Sequence, residues 1–165
     1  MSTVYFISDT HFGHRNICKY RTEFNSAEEH DEFVFDNIMS TGSKRDTLWM
    51  LGDLFFTEES IKKFDEINNK FNCVNVIFGN HCTEGKGKII SKYIANNCNR
   101  FGSMFKYKGF WLTHAPIHAN ELRGKYNIHG HTHHHIIDDH RYINVSVENI
   151  NYKPISYNEI MERVK

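Results

Sequence analysis

The chain has no charge excess, no paired-cysteine motif and no long apolar run, and each absence narrows what it can be. Its 20 basic and 20 acidic side chains cancel, and no Lys/Arg block stands out, so general electrostatic adhesion to nucleic acid has no compositional support. The four cysteines (Cys18, Cys73, Cys82 and Cys98) show no CxxC spacing, and the start carries no secretory pattern, which reads as reduced thiols in a cytoplasmic protein. No apolar stretch approaches the roughly 18–20 residues needed to cross a bilayer, so no membrane role is expected. Repeats, low-complexity tracts and linkers are missing too. At 165 residues, with 39% hydrophobic content, the expectation is one globular domain over residues 1–165.

Histidine is what the chain has in excess. Eight of its 12 histidines fall between His114 and His140. The run His133-His134-His135 is internal, unlike a purification tag. Five short polar clusters each follow a run that reads as a buried strand: Asp9-Thr10-His11, Gly52-Asp53, Gly79-Asn80-His81, His114, and Gly130-His131-Thr132-His133. Asp, Asn and His suit divalent Mn, Fe or Zn, and strand ends let residues distant in sequence converge at one sheet edge.

The order of elements supports that convergence. Strands are expected at Thr3–Ser8, Thr47–Leu51 and Cys73–Phe78, each delivering one cluster. Between them, Ser26 to Glu29 forms a capping box for a helix burying Ala27, Phe33, Val34 and Ile38. Thr57 caps a second helix with Ile61, Phe64, Ile67 and Phe71 on one face, and Lys88–Asn97 buries Ile89, Ile90, Tyr93 and Ile94. Later come a hairpin turning at Lys108-Gly109, strands at Tyr126–His129 and Arg141–Val147, and a helix over Ser156–Val164 with a second Ser-x-x-Glu cap. Strand–helix alternation followed by hairpins implies a mixed sheet, or two sheets flanked by helices.

The ordered set DxH, GD, GNH, H and GHTH resembles that of the calcineurin-like metallophosphoesterases, running from Asp9 to His133. The opening Ser8-Asp9-Thr10-His11-Phe12-Gly13-His14 is similar to the small, cap-less bacterial and phage-type members. The resemblance implies an α/β fold, a four-layer α-β-β-α sandwich of two mixed β-sheets flanked by helices. It implies that Asp9, His11 and His133 hold one metal ion, that Asn80, His114 and His131 hold another, and that Asp53 bridges both. It gives His81 the role of general acid, a contribution of roughly 10²–10⁴ in rate. Two divalent ions, Mn foremost with Fe, Zn or Ni as alternatives, outweigh the two carboxylates even with a bridging hydroxide. Such a site attracts phosphate, and the hydroxide is the expected nucleophile.

Two departures from the family pattern matter. Cys82 stands where an acid usually follows the GNH histidine, and a thiol is a weak acceptor for an imidazole N–H. Reduced turnover is expected, with Glu84 able to take the acid's place by another loop path. After Asp53 the chain reads Leu54-Phe55-Phe56-Thr57, without the arginine that binds phosphate in the protein phosphatase and diadenosine tetraphosphatase branches. Phosphodiesters are therefore preferred over monoesters, with a nucleotide or oligonucleotide as one form of substrate. Substrate contacts are assigned to Phe12 (stacking a base), His14, Arg15, His118 and Arg123. His134 and His135 are expected to face solvent. Alternative readings are a catalytically weak docking module on the same fold, a nuclease acting on nucleic-acid ends, and a mononuclear zinc hydrolase. Nothing in the sequence sets the oligomeric state.

Overall fold

The computed structural model describes residues 1–164. Its first sheet contains β1 (Val4–Ile7), β2 (Thr47–Met50), β3 (Cys73–Ile77) and β4 (Arg100–Gly102), all parallel, with the two-residue β9 (Ile155–Ser156) antiparallel to β1. The order is β4-β3-β2-β1-β9. The second sheet has the order β5 (Met104–Tyr107), β6 (Phe110–Thr113), β7 (Tyr126–His129) and β8 (Tyr142–Asn144). There β5 and β6 are antiparallel, while β6, β7 and β8 are parallel. Both sheets are mixed. The β5–β6 hairpin turns at Lys108 (φ 43°) and Gly109 (φ 86°), the two positive values that a tight two-residue hairpin requires.

Four helices, among the described residues, complete the frame: α1 (Ala27–Met39), α2 (Ile61–Lys70), α3 (Gly87–Asn97) and α4 (Tyr157–Arg163). Helix α2 packs on β3, α3 on β4, α4 on β1 and β9, and α1 against α2. Parallel strands covered this way read as continuous apolar runs, which is why β1 to β3 are legible in the sequence. The sheets meet through Trp49 against Phe105 (5.2 Å between centroids) and Phe6 against Tyr107 (6.0 Å), in one core that draws on both. No helix among the described residues is long and apolar enough to cross a membrane.

Several expectations shift. Helix α1 buries His30, Val34 and Ile38, whereas Phe33 is 47% exposed. Periodicity alone selects Phe33 because a polar His30 does not register as core. Helix α3 buries Ile90, Ser91 and Ile94, leaving Ile89 and Tyr93 exposed. Helix α2 starts later than expected, with Ser60 at its N-cap, because Thr57 and Ser60 bond to each other in the preceding turn. The strand expected over Arg141–Val147 is confined to Tyr142–Asn144. Ser156 and Glu159 do form the reciprocal cap of α4.

Candidate metal centre

Beyond the ends of β1 and β2 the two chains stay side by side. Asp9 N–H donates to the Gly52 carbonyl (3.0 Å), His11 N–H to Asp53 (3.1 Å) and Phe12 N–H to Leu54 (2.8 Å). Ser8 N–H reaches Val145, and Gly130 N–H reaches His114 (2.8 Å), which ties the second sheet to the same edge. Five residues here have left-handed φ: Asp9 (58°), His11 (51°), Asp53 (51°), His131 (70°) and His133 (49°). Such backbone costs a non-glycine residue about 1–2 kcal/mol, and clustering of that strain is typical of functional sites. Each turn swings its side chain off the strand axis toward a common point. Gly79 and Gly130 keep the approach open, since a Cβ at Gly79 would overlap the Asp53 carboxylate and one at Gly130 would overlap Ser8 and Asp9.

Two groups result. Ligand-type atoms of Asp9, His11 and His133 lie within 4.8 Å of one another, as do those of Asp53, His114 and His131. Asp9 Oδ2 accepts from His131 N–H (2.9 Å) and Ser146 Oγ (3.0 Å), while Asp9 Oδ1 is buried without a partner. Oδ1 faces Nε2 of His11 at 3.8 Å and Nε2 of His133 at 3.9 Å. Both His11 ring nitrogens also lack partners. Burying three such groups unpaired is costly, and a cation among them removes the cost. In the second group Asp53 Oδ2 is 3.2 Å from His114 Nε2. Asn80 Oδ1 lies 3.1 Å from that nitrogen and 3.0 Å from His131 Nδ1. His114 donates Nδ1–H to the Leu51 carbonyl at 2.7 Å, which turns its Nε2 lone pair inward in the neutral ring. The donor sets, mixed N/O with one carboxylate in each group, fit two divalent ions.

The electrostatics of the two carboxylates and of His11 point the same way, while the pKa values of His114 and His133, beside Asp53 and Glu148, are raised. For Asp9, burial acts to raise the pKa, but the His11 ring beside it and the nearby His114 outweigh burial and hold the carboxyl well below its usual range. Asp53 is likewise lowered against burial, chiefly by His114. Burial pushes His11 down to about 4, so its ring is neutral and free to coordinate near pH 7.

Behind the first group lies a fully buried arginine that the sequence does not reveal. Arg21, 1% exposed, donates through Nη2 to the Asp9 carbonyl (2.6 Å) and through Nε to Glu148 Oε1 (2.9 Å). The same Glu148 oxygen accepts from His133 Nδ1 at 3.0 Å. Arg21 Nη1 lies 2.7 Å from His30 Nε2, and His30 Nδ1 lies 2.9 Å from Asp31, whose other oxygen accepts Gly13 N–H. One network thus fixes the backbone at Asp9 and the ring of His133.

His81 stands at the mouth, 41% exposed in its side chain, with Nε2 3.9 Å from Asp53 Oδ2. Its Nδ1–H donates to Glu84 Oε2 at 2.8 Å. Cys82 is turned away: its sulfur accepts Gly79 N–H at 3.2 Å, and burial raises the thiol's pKa. Phe56 packs against the rings of His11 (4.8 Å), His14 (5.0 Å) and His81 (5.1 Å), a support not anticipated from the sequence.

A cleft of about 730 Å³ opens beside the first group, walled by His14, Tyr20, His81, His134 and His135 with Glu148 at its side. His134 and His135 are exposed, as expected. Of the residues assigned to substrate, only His14 lines this cleft. Phe12 is fully buried and stacked on Phe55 at 5.3 Å, so it is core and not a platform for a base. Arg15 is exposed and outside the cleft wall. His118 accepts Asn120 N–H at the start of a short turn, and Arg123 pairs with Glu121 (2.9 Å) beside a separate groove containing Trp111. These three follow the clustered segments in sequence, but the backbone leads them away.

No family model matches the chain. The crystal structure of AQ665, a protein of unknown function from Aquifex aeolicus, superposes with a TM-score of 0.75 at 25% identity, covering 98% of this chain and 99% of that one. The Gene 66 protein of Mycobacterium phage L5 is 28% identical over 81% of this chain and 78% of its own length. The uncharacterized protein MJ1445 of Methanocaldococcus jannaschii is 33% identical over 100% of this chain and 93% of its own length. The chain belongs to one family with that methanogen protein.

Proposed function

We propose that the chain is a calcineurin-like metallophosphoesterase, with that family's four-layer sandwich, hydrolysing phosphodiesters at a dinuclear metal site. The observation that carries this reading is the convergence of six Asp and His side chains into two donor sets, with Asn80 Oδ1 beside His114 and His131 and with Asp9 Oδ1 and His11 Nε2 buried and unpaired. Asp9, His11 and His133 would hold one ion and Asn80, His114 and His131 the other, with Asp53 between them. Divalent ions held there, Mn foremost, would supply positive charge for a phosphoryl oxygen and lower the pKa of water toward neutrality.

The chain's own residues supply the rest. The one arginine in the cleft wall, Arg21, is already committed to Glu148 and to the Asp9 carbonyl, so it adds no free cation for a phosphate. His81, oriented by Glu84 and open to the cleft, delivers a proton to the leaving oxygen. Glu148 and Arg21 hold His133 and the Asp9 backbone in place.

The direct test is hydrolysis of bis-p-nitrophenyl phosphate by protein stripped of metal and then resupplied with Mn²⁺. Turnover should vanish on chelation and return with the ion. Turnover that survives chelation, or none with any divalent ion, contradicts the reading.

A further inference from the structure

The clustered side chains border two recesses. One is the imidazole-walled cleft. The other is a groove of about 530 Å³ beside the second group, whose wall includes Asn80, His114 and His131. His131 borders both. No Asp, Glu, Lys or Arg lines the groove; its outer wall is Phe78, Met104, Ala115 and Ile117.

The local fold leaves these apolar groups uncovered. Phe78 follows β3 directly, its N–H bonded to the Gly102 carbonyl and its ring against Phe101 at 4.1 Å, yet it remains 37% exposed. Met104 starts the edge strand β5, paired in register with Thr113, the residue before His114, and is 45% exposed. Two large apolar side chains standing open next to a polar, ligand-rich floor mark a binding surface more than a packing defect.

We infer that this groove receives the non-leaving group of the phosphodiester, and that this group is planar and uncharged, an aryl ring or a nucleobase. The inference rests on the phosphodiesterase reading above. A diester carries a substituent on each side of phosphorus. His81 lines the imidazole cleft, so the oxygen it protonates departs on that side. The second substituent then extends the other way, past Asn80, His114 and His131, onto Met104 and Ile117. As water oxygen bonds to phosphorus and releases a proton to solvent, the P–O bond on the cleft side breaks and its oxygen takes the His81 proton, which solvent then restores. The monoester released still carries the groove-bound group. A monoester substrate would leave the groove empty.

Two diesters with the same leaving group separate the effects: bis-p-nitrophenyl phosphate puts an aryl ring in the groove, methyl p-nitrophenyl phosphate only a methyl. With Mn²⁺-loaded protein, Met104→Ala should lower the ratio of their kcat/KM values (aryl over methyl) roughly tenfold, the upper end of a lost sulfur–aromatic contact. An unchanged ratio overturns the inference. The second measurement needs no turnover. In Zn²⁺-loaded protein the Met104 methyl NMR signal should shift with diphenylphosphinate, a non-hydrolysable diester mimic, and not with dimethylphosphinate. A signal that stays in place with both, or moves equally with both, overturns it as well. If neither ester is hydrolysed by the unaltered protein, the phosphodiesterase reading fails, and the NMR titration still decides whether the groove takes an aryl group.

Discussion

Glu84, just past the short turn Asn80–Thr83, places its Oε2 2.8 Å from Nδ1 of His81. The contact fixes which ring nitrogen carries the proton that faces away from the cleft, and so which one is left to serve a leaving group. Glu84→Ala should therefore lower kcat roughly tenfold for a diester with a poor leaving group such as phenol, and far less for one that releases p-nitrophenolate. Equal losses for both would show that Glu84 does not act through His81.

Cys82 is the other neighbour of His81, and its sulfur is engaged by Gly79 N–H. With Glu84 already on the imidazole, Cys82→Asp should change kcat and its pH profile little. A large gain in turnover would mean that the weak thiol acceptor does limit His81, as the sequence pattern by itself suggests.

The sequence makes the seven clustered side chains legible because Asp, Asn and His at the ends of apolar strands stand out against their surroundings. The network behind them is hidden for a physical reason. An arginine reads as a surface residue, and Arg21 is buried only because Glu148, 127 positions away, and His30 close on it. Adjacency to His11 places Phe12 at the rim in sequence, but its N–H bonds to Leu54 and its ring turns inward to Phe55. Strand β4 escaped because Arg100–Gly102 is short and partly exposed, and shows as a strand only through its pairing with β3.

Arg21 is the largest fully buried side chain. Arg21→Met should destabilise the fold by about 3–5 kcal/mol, because Glu148 loses its buried cation. Urea denaturation of the metal-free protein measures this, and a loss within about 0.5 kcal/mol would show the network to be structurally idle. Glu148→Gln should weaken binding of Mn²⁺ by roughly 10–100-fold, as removal of a ligand-orienting carboxylate does elsewhere. Calorimetric titration reads it directly.

Burial acts to raise the Glu148 pKa, but the His133 hydrogen bond and the Arg21 charge prevail and bring it from 4.5 to about 2. A carboxyl lowered in the folded state stabilises the fold above its unfolded value, and that contribution fades as pH falls from about 4.5 toward 2. Metal-free wild-type protein should lose stability steeply across that window, and Glu148→Gln less steeply. Parallel curves for the two would place the acid sensitivity elsewhere.

Phe12→Leu separates core from substrate contact. A buried Phe12 predicts a cost of about 1 kcal/mol in stability with KM for diesters unchanged. A several-fold rise in KM without loss of stability would restore Phe12 to the substrate surface.

The most direct measurement is diffraction at the manganese absorption edge from crystals of metal-stripped protein soaked in Mn²⁺. Two anomalous peaks per chain are expected, one among Asp9, His11 and His133, the other among Asn80, His114 and His131, with Asp53 touching both. A single peak, none, or peaks away from these side chains would contradict the dinuclear assignment.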